Sequence, residues 1–122
     1  MQRTCTDFSR RRDLADAASG RVERVRVVLY ACRPDGEAGV LTELRVYATA
    51  RDWVVVGELI DRTHPDSALD ERPRWTRLKE LVESGQAQGI VTPMRRLCGK
   101  CESERSLLDT WLAAHRAFVV TA

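Results

Sequence analysis

Val27-Val28-Leu29-Tyr30-Ala31-Cys32-Arg33-Pro34 is the stretch on which the fold turns. With Val25 ahead of it, the run is almost continuously apolar to Tyr30, which predicts a strand over residues 24–30. A half-exposed strand would alternate apolar and polar residues; a run like this one needs cover on both faces. Pro34-Asp35-Gly36 then stops it and opens a loop.

Working outward, the pattern alternates. Leu41 to Arg51 reads as a helix with Leu41, Leu44, Tyr47 and Ala48 on one face. Trp53 to Ile60 reads as a second strand, and Asp61 to Glu71 as a polar loop holding His64-Pro65-Asp66. A helix follows over residues 72–84, with Pro73 suited to its first turn and Gly85 to its end. Trp75, Leu78, Leu81 and Val82 form its inward stripe. Gly89 to Thr92 is a short third strand. Glu102 to Arg116 is a helix with Leu107, Leu108, Trp111 and Leu112 facing inward, and Ala117 to Val120 a fourth strand. Strands alternating with helices predict an α/β domain of three layers, a mostly parallel central sheet flanked by helices. Sites in such sheets lie beyond the carboxyl ends of the strands. That points to the loops at Ala31–Gly36, Asp61–Glu71 and Pro93–Cys101.

Those three loops carry the residues of interest. Tyr30 ends the first strand and Pro34 follows it, Asp61 follows the second, Arg72-Pro73 opens a helix, and Met94-Arg95-Arg96-Leu97 follows the third strand. In order and spacing this resembles the catalytic domain of the serine recombinases, the resolvase/invertase family, over residues 24–122. That family begins with a strand ending Tyr-x-Arg-x-Ser, and its serine attacks a DNA phosphodiester. A crowded phosphoryl transition state needs several fixed cations, which guanidinium forks supply. On the resemblance, Asp61, Arg72 and Arg96 keep the family's acid and two of its arginines. Cys32 stands for another arginine, Pro34 for the serine, Arg95 for an aspartate and Gly99 for the last arginine. Shifting the match by one residue brings Arg33 to the first arginine's place but restores no serine.

The resemblance therefore implies a catalytically inactive recombinase-like domain, not an enzyme, because proline carries no nucleophile. It would act as a protein-interaction or regulatory module. An alternative is an accessory, non-specific DNA-binding protein, using Asp61, Arg72, Arg95 and Arg96 as a relict phosphate site. Each of these four also has a structural reading: Asp61 as a cap, Arg72 as an ion-pair partner, the other two as solvated surface. The family carries a dimerisation helix and a DNA-binding unit after the fourth strand. The resemblance ends before both, so dimerisation is open.

The cysteines give a third alternative. Cys98-Gly99-Lys100-Cys101 is a Cys-x-x-Cys motif, and Cys32 follows a strand expected to neighbour the third. Cys32, Cys98 and Cys101, with Cys5 or His64, would suit zinc or an iron–sulfur cluster. Free cysteines, or a redox pair favoured by Lys100 and the following helix start, are the other readings. No cofactor is otherwise called for.

Composition narrows the classes. The chain has 122 residues, enough for one core, and a net charge of +2, which makes no global case for nucleic acid. Only Lys79 and Lys100 among its 20 basic residues are lysines. Arginine richness reads first as a compositional bias, with phosphate recognition as the functional alternative. No apolar run approaches a membrane span, and Met1-Gln2-Arg3-Thr4-Cys5 starts no secretory signal, so the expectation is a cytoplasmic protein with reduced cysteines. Residues 1–24 read as a flexible extension. Asp13 to Ala18 is able to form a turn or two of helix, and Arg10-Arg11-Arg12 is a solvated run or a contact for an acidic partner.

Overall fold

The computed structural model of the chain describes residues 24–35, 39–99 and 101–122. The remainder of the extension, with Cys5 and the Arg10–Arg12 run, lies outside the described residues, as does Lys100. In chain order the elements are β1 (Arg26–Cys32), α1 (Gly39–Ala50), β2 (Val54–Asp61), a 3-10 turn (Leu69–Glu71), α2 (Pro73–Glu83), β3 (Gly89–Thr92), α3 (Glu102–Ala114) and β4 (Phe118–Thr121).

The four strands form one sheet in the order β2-β1-β3-β4, and every pairing is parallel. β1 is central, with six of its seven residues buried, which is why its sequence does not alternate. Val27, Leu29 and Val91 pack on one face with Leu44 and Ala48 of α1. Val28, Tyr30, Cys32 and Ile90 pack on the other with Trp75, Leu78, Leu81 and Val82 of α2 and Leu108 of α3. The result is the expected three-layer α/β domain. Each large apolar side chain so buried contributes roughly 1.5–3 kcal/mol over exposure.

Several boundaries move. β1 runs on through Cys32, so Cys32 is the last residue of a strand and not part of a loop. β2 likewise includes Asp61. The loop after it is not wholly irregular, since Leu69–Glu71 makes a 3-10 turn. α2 stops at Glu83, and Gly85 takes φ 82°, a left-handed conformation that suits glycine at a helix end. The one misplaced face is on α3. Leu108 is buried and Trp111 and Leu112 are half-buried, but Leu107 is 72% exposed. Leu107 lies about 100° around the helix from Leu108, on the side turned away from the core.

Among the described residues no helix is long and apolar enough to cross a membrane.

Candidate functional site

β1, β2 and β3 all end at the same edge of the sheet, and Cys32 and Asp61 pair across β1 and β2 there. Asp61 is 2% exposed. One carboxylate oxygen accepts the Tyr30 hydroxyl at 2.7 Å, and the other accepts the Arg74 backbone N–H at 2.8 Å. That N–H is in the first turn of α2, where no helical carbonyl is available, so Asp61 caps the helix from the neighbouring strand. Burial, and then the Asp61 carboxylate, push the Tyr30 phenol well above its ordinary 10.0, which keeps it neutral and donating.

Arg72 immediately precedes α2. Its backbone is extended (φ −100°, ψ 112°), as a residue before proline prefers. Its side chain is 1% exposed and meets no carboxylate. Nη1 donates to the Leu97 carbonyl at 2.5 Å. Nη2 donates to the carbonyls of Pro65 at 2.6 Å and Ser67 at 2.8 Å, and Nε donates to the Ser67 hydroxyl at 3.2 Å. The guanidinium therefore ties the loop after β2 to the loop after β3, and its donors point into protein.

Cys32 joins the same network. Its sulfur lies 3.2 Å from the Thr63 hydroxyl, 3.4 Å from the Thr63 carbonyl and 3.6 Å from the His64 carbonyl. The Thr63 and Ser67 hydroxyls are 3.1 Å apart, and Ser67 donates to the His64 carbonyl at 2.7 Å. With Ser67 donating there and receiving Arg72, one direction satisfies every proton: Cys32 S–H to Thr63, Thr63 O–H to Ser67, Ser67 O–H to His64. Pro34 stands exposed in the turn beyond, and the Arg33 backbone N–H is fixed to the Asp61 carbonyl at 2.8 Å.

Arg95 and Arg96 belong to a different environment. Both are exposed, and with Arg105, Cys98, Leu108 and Leu112 they line a cavity of about 180 Å³. Arg62 and Arg74 line another, of about 380 Å³, beside Asp61. Among the described residues no guanidinium of Arg62, Arg74, Arg95, Arg96 or Arg105 makes an ion pair or hydrogen bond. Other arginines are engaged: Arg24 with Asp52, Arg45 with Glu58, Arg77 with Glu80, and Arg51 and Arg26 with the Tyr47 and Gly85 carbonyls.

The cysteines do not converge. Among the described residues no group of three His, Cys, Asp or Glu side chains stands close enough to hold a metal ion. Cys32 is committed to the loop after β2, Cys98 is buried and Cys101 is exposed. His64 instead receives the Asp66 backbone N–H on Nδ1 at 3.0 Å.

The sequence alone matches no protein-family pattern and no curated protein. The structure does match. It is similar to the C-terminal catalytic domain of ISC1926 TnpA, an IS607-like serine recombinase, with a TM-score of 0.65 at 19% identity over 80% of this chain and 69% of that one. It is also similar to the N-terminal catalytic domain of TP901-1 integrase, with a TM-score of 0.67 at 19% identity over 79% of this chain and 75% of that one. The chain has the fold of a serine-recombinase catalytic domain.

Within this recombinase fold, the residues singled out from the sequence fall into two sets. Asp61, Arg72 and Cys32 share one buried network, whereas Arg95 and Arg96 stand outside it on the rim. Sequence reading singled out none of Thr63, Ser67 and Glu104. Glu104 reaches from α3 to accept the Leu69 N–H at 3.0 Å. Only the His64-Pro65-Asp66-Ser67 turn composition hinted that this loop folds back on itself.

Proposed function

We propose that the chain is a catalytically inactive member of the recombinase fold that acts by binding, as a protein-interaction or regulatory module. The observation that carries this is Arg72. A phosphoryl-transfer site needs guanidinium donors aimed at the reacting phosphate. Arg72 spends its donors on three backbone carbonyls and a serine, and is nearly inaccessible. Pro34, at the place the resemblance gives the serine, offers no hydroxyl. Cys32 keeps its thiol inside the network, turned away from solvent. Chemistry has given way to internal bracing.

A second reading has its own support. Arg62, Arg74, Arg95 and Arg96, which make no ion pair or side-chain hydrogen bond among the described residues, follow the carboxyl ends of β2 and β3, which suits accessory, non-specific contact with the DNA backbone. This reading uses Arg95 and Arg96 and does not use Arg72.

One experiment separates the readings. The purified full chain is titrated with mixed-sequence duplex DNA across a salt series, and the samples are also run under denaturing conditions. A protein-interaction module shows no retention even at low salt. An accessory DNA-binding module shows retention that weakens steeply with salt, and the paired Arg95→Ala and Arg96→Ala substitutions make the salt slope shallower by about 2. DNA that stays covalently attached after denaturation would overturn the inactive reading altogether.

A further inference from the structure

The two outer strands of the sheet are not alike. β2 carries a bulge, where its register with β1 shifts between Val27 and Val28, and a bulge breaks up the outward row of backbone groups. β4 is regular. Gly89 to Thr92 pair in step with Phe118 to Thr121, and among the described residues no strand lies on the other side of β4. The Phe118 and Ala122 N–H groups donate inward, to the Gln88 and Thr92 carbonyls. Backbone direction alternates along a strand, so the N–H and carbonyl groups of Val119 and Thr121 point outward.

Beside that edge lies the cavity of about 180 Å³, bordered by Val119 of β4 and by Leu108 and Leu112 of α3. Its rim sets Arg95, Arg96 and Arg105 against a single carboxylate, Asp109. None of the three guanidinium groups has an ion pair or hydrogen bond among the described residues, so the rim keeps a positive charge.

We propose that β4 is the docking edge for an extended acidic segment of a partner protein. The segment adds as a further strand, sets one aliphatic side chain in the cavity and meets the three arginines with its carboxylates. This rests on the protein-interaction reading and gives that partner its chemistry. The outward groups of Val119 and Thr121 are donors and acceptors in equal number. A peptide backbone answers both, whereas a phosphate backbone accepts protons and has none to give the carbonyls. The cavity is smaller than the roughly 300–1,000 Å³ of a small-molecule site, which suits one side chain rather than a whole ligand. The excess of guanidinium over carboxylate favours acids. A strand added to β4 lies about 4.8 Å beyond it, with alternate side chains on the α3 face. The segment therefore presents an acid, an aliphatic residue and an acid at every second position.

The test titrates the isotope-labelled full chain with the peptide acetyl-Glu-Thr-Leu-Thr-Glu-Thr-amide to about 1 mM, enough to show even a millimolar Kd, and reads amide shifts and hydrogen exchange by NMR. The Val119 and Thr121 amides should shift saturably and exchange more slowly, while Phe118, already bonded to Gln88, keeps its protection. The peptide is also made in two versions N-methylated at alternate residues. One should keep its affinity and the other should lose at least about tenfold, because only one set of N–H groups faces β4. Arg105→Glu should weaken binding at least about tenfold. Thr121→Pro removes an outward N–H and leaves the inward ladder in place, and should weaken it as much. Shifts confined to Arg95, Arg96 and Arg105, two N-methylated versions that behave alike, or no saturable shift at Val119 and Thr121 would each overturn the proposal. The salt-series titration keeps two failures apart. A chain that takes neither the peptide nor duplex DNA loses this docking edge but keeps the protein-interaction reading, whereas retained DNA with no peptide shift removes both.

Discussion

The inner and outer halves of the carboxyl-end edge use the same side chain in opposite ways. Inside, Arg72 is enclosed and hydrogen-bonded to three carbonyls and a hydroxyl. Outside, Arg95 and Arg96 are exposed and, among the described residues, without ion pairs. An arginine's identity in a motif therefore says little until its donors are followed. A buried guanidinium must be satisfied by the protein, because an unpaired charge there is very costly, whereas an exposed one is satisfied by water and is free to exchange water for a ligand.

The largest expected effect breaks this comparison most directly. Arg72→Ala leaves the Leu97, Pro65 and Ser67 carbonyls without their donor and opens a hole, and should cost about 3–5 kcal/mol in a urea titration. Arg72→Lys keeps the charge but not the planar fork, so it should recover only part of that loss. Arg95→Ala should stay within about 0.5 kcal/mol of the parent. If Arg72→Ala proved as harmless as Arg95→Ala, the inner half would not be a brace and its arginine would again be a candidate for phosphate.

A smaller effect sharpens the account of the inner half. Tyr30→Phe removes the hydroxyl from a buried carboxylate and should cost about 1.5–3 kcal/mol at neutral pH. The pH dependence has a definite sign. The folded phenol ionises only well above 10.0, the ordinary value, so its contribution is complete below about pH 10 and is lost as pH rises toward the folded value. Parent stability should therefore fall on the alkaline side, and the gap to Tyr30→Phe should narrow as it does. A constant gap through pH 11 would show that Tyr30 does not hold its proton against Asp61.

The fold was legible because β1 is buried on both faces and says so in its composition, and because α2 carries its stripe at Trp75, Leu78, Leu81 and Val82. The order of the loops was legible for the same reason: parallel strands bring their carboxyl ends together. The division of the edge was not. Whether Asp61 faces a ligand or a helix end depends on where the Arg74 N–H arrives, thirteen residues later. Whether Arg72 faces out depends on carbonyls from Pro65 and Leu97, which any residue type would supply. Backbone acceptors leave no mark in a sequence. The expected meeting of three cysteines failed similarly: Cys32 and Cys98 are both buried at this edge, but Cys101 has already turned into α3.

The smallest effect concerns that helix. The sequence pattern made Leu107 and Leu108 equally good core candidates, and a substitution separates them. Leu108→Ser removes a buried side chain and should cost about 2 kcal/mol or more, whereas Leu107→Ser should change stability by less than about 0.5 kcal/mol. Leu107 instead borders a groove of about 460 Å³ between α2 and α3, with Leu69, Trp75 and Trp111 along it. Across that groove the Trp111 indole donates to Glu83 at 2.9 Å, which fixes the ring without help from Leu107. An unfolding midpoint that dropped as far for Leu107→Ser as for Leu108→Ser would mean that α3 is rotated so that both residues are covered. Rotation would also carry Glu104 away from the Leu69 N–H and detach α3 from the loop that Arg72 braces. A near-silent Leu107→Ser therefore supports the placement of α3 on which the inner network relies.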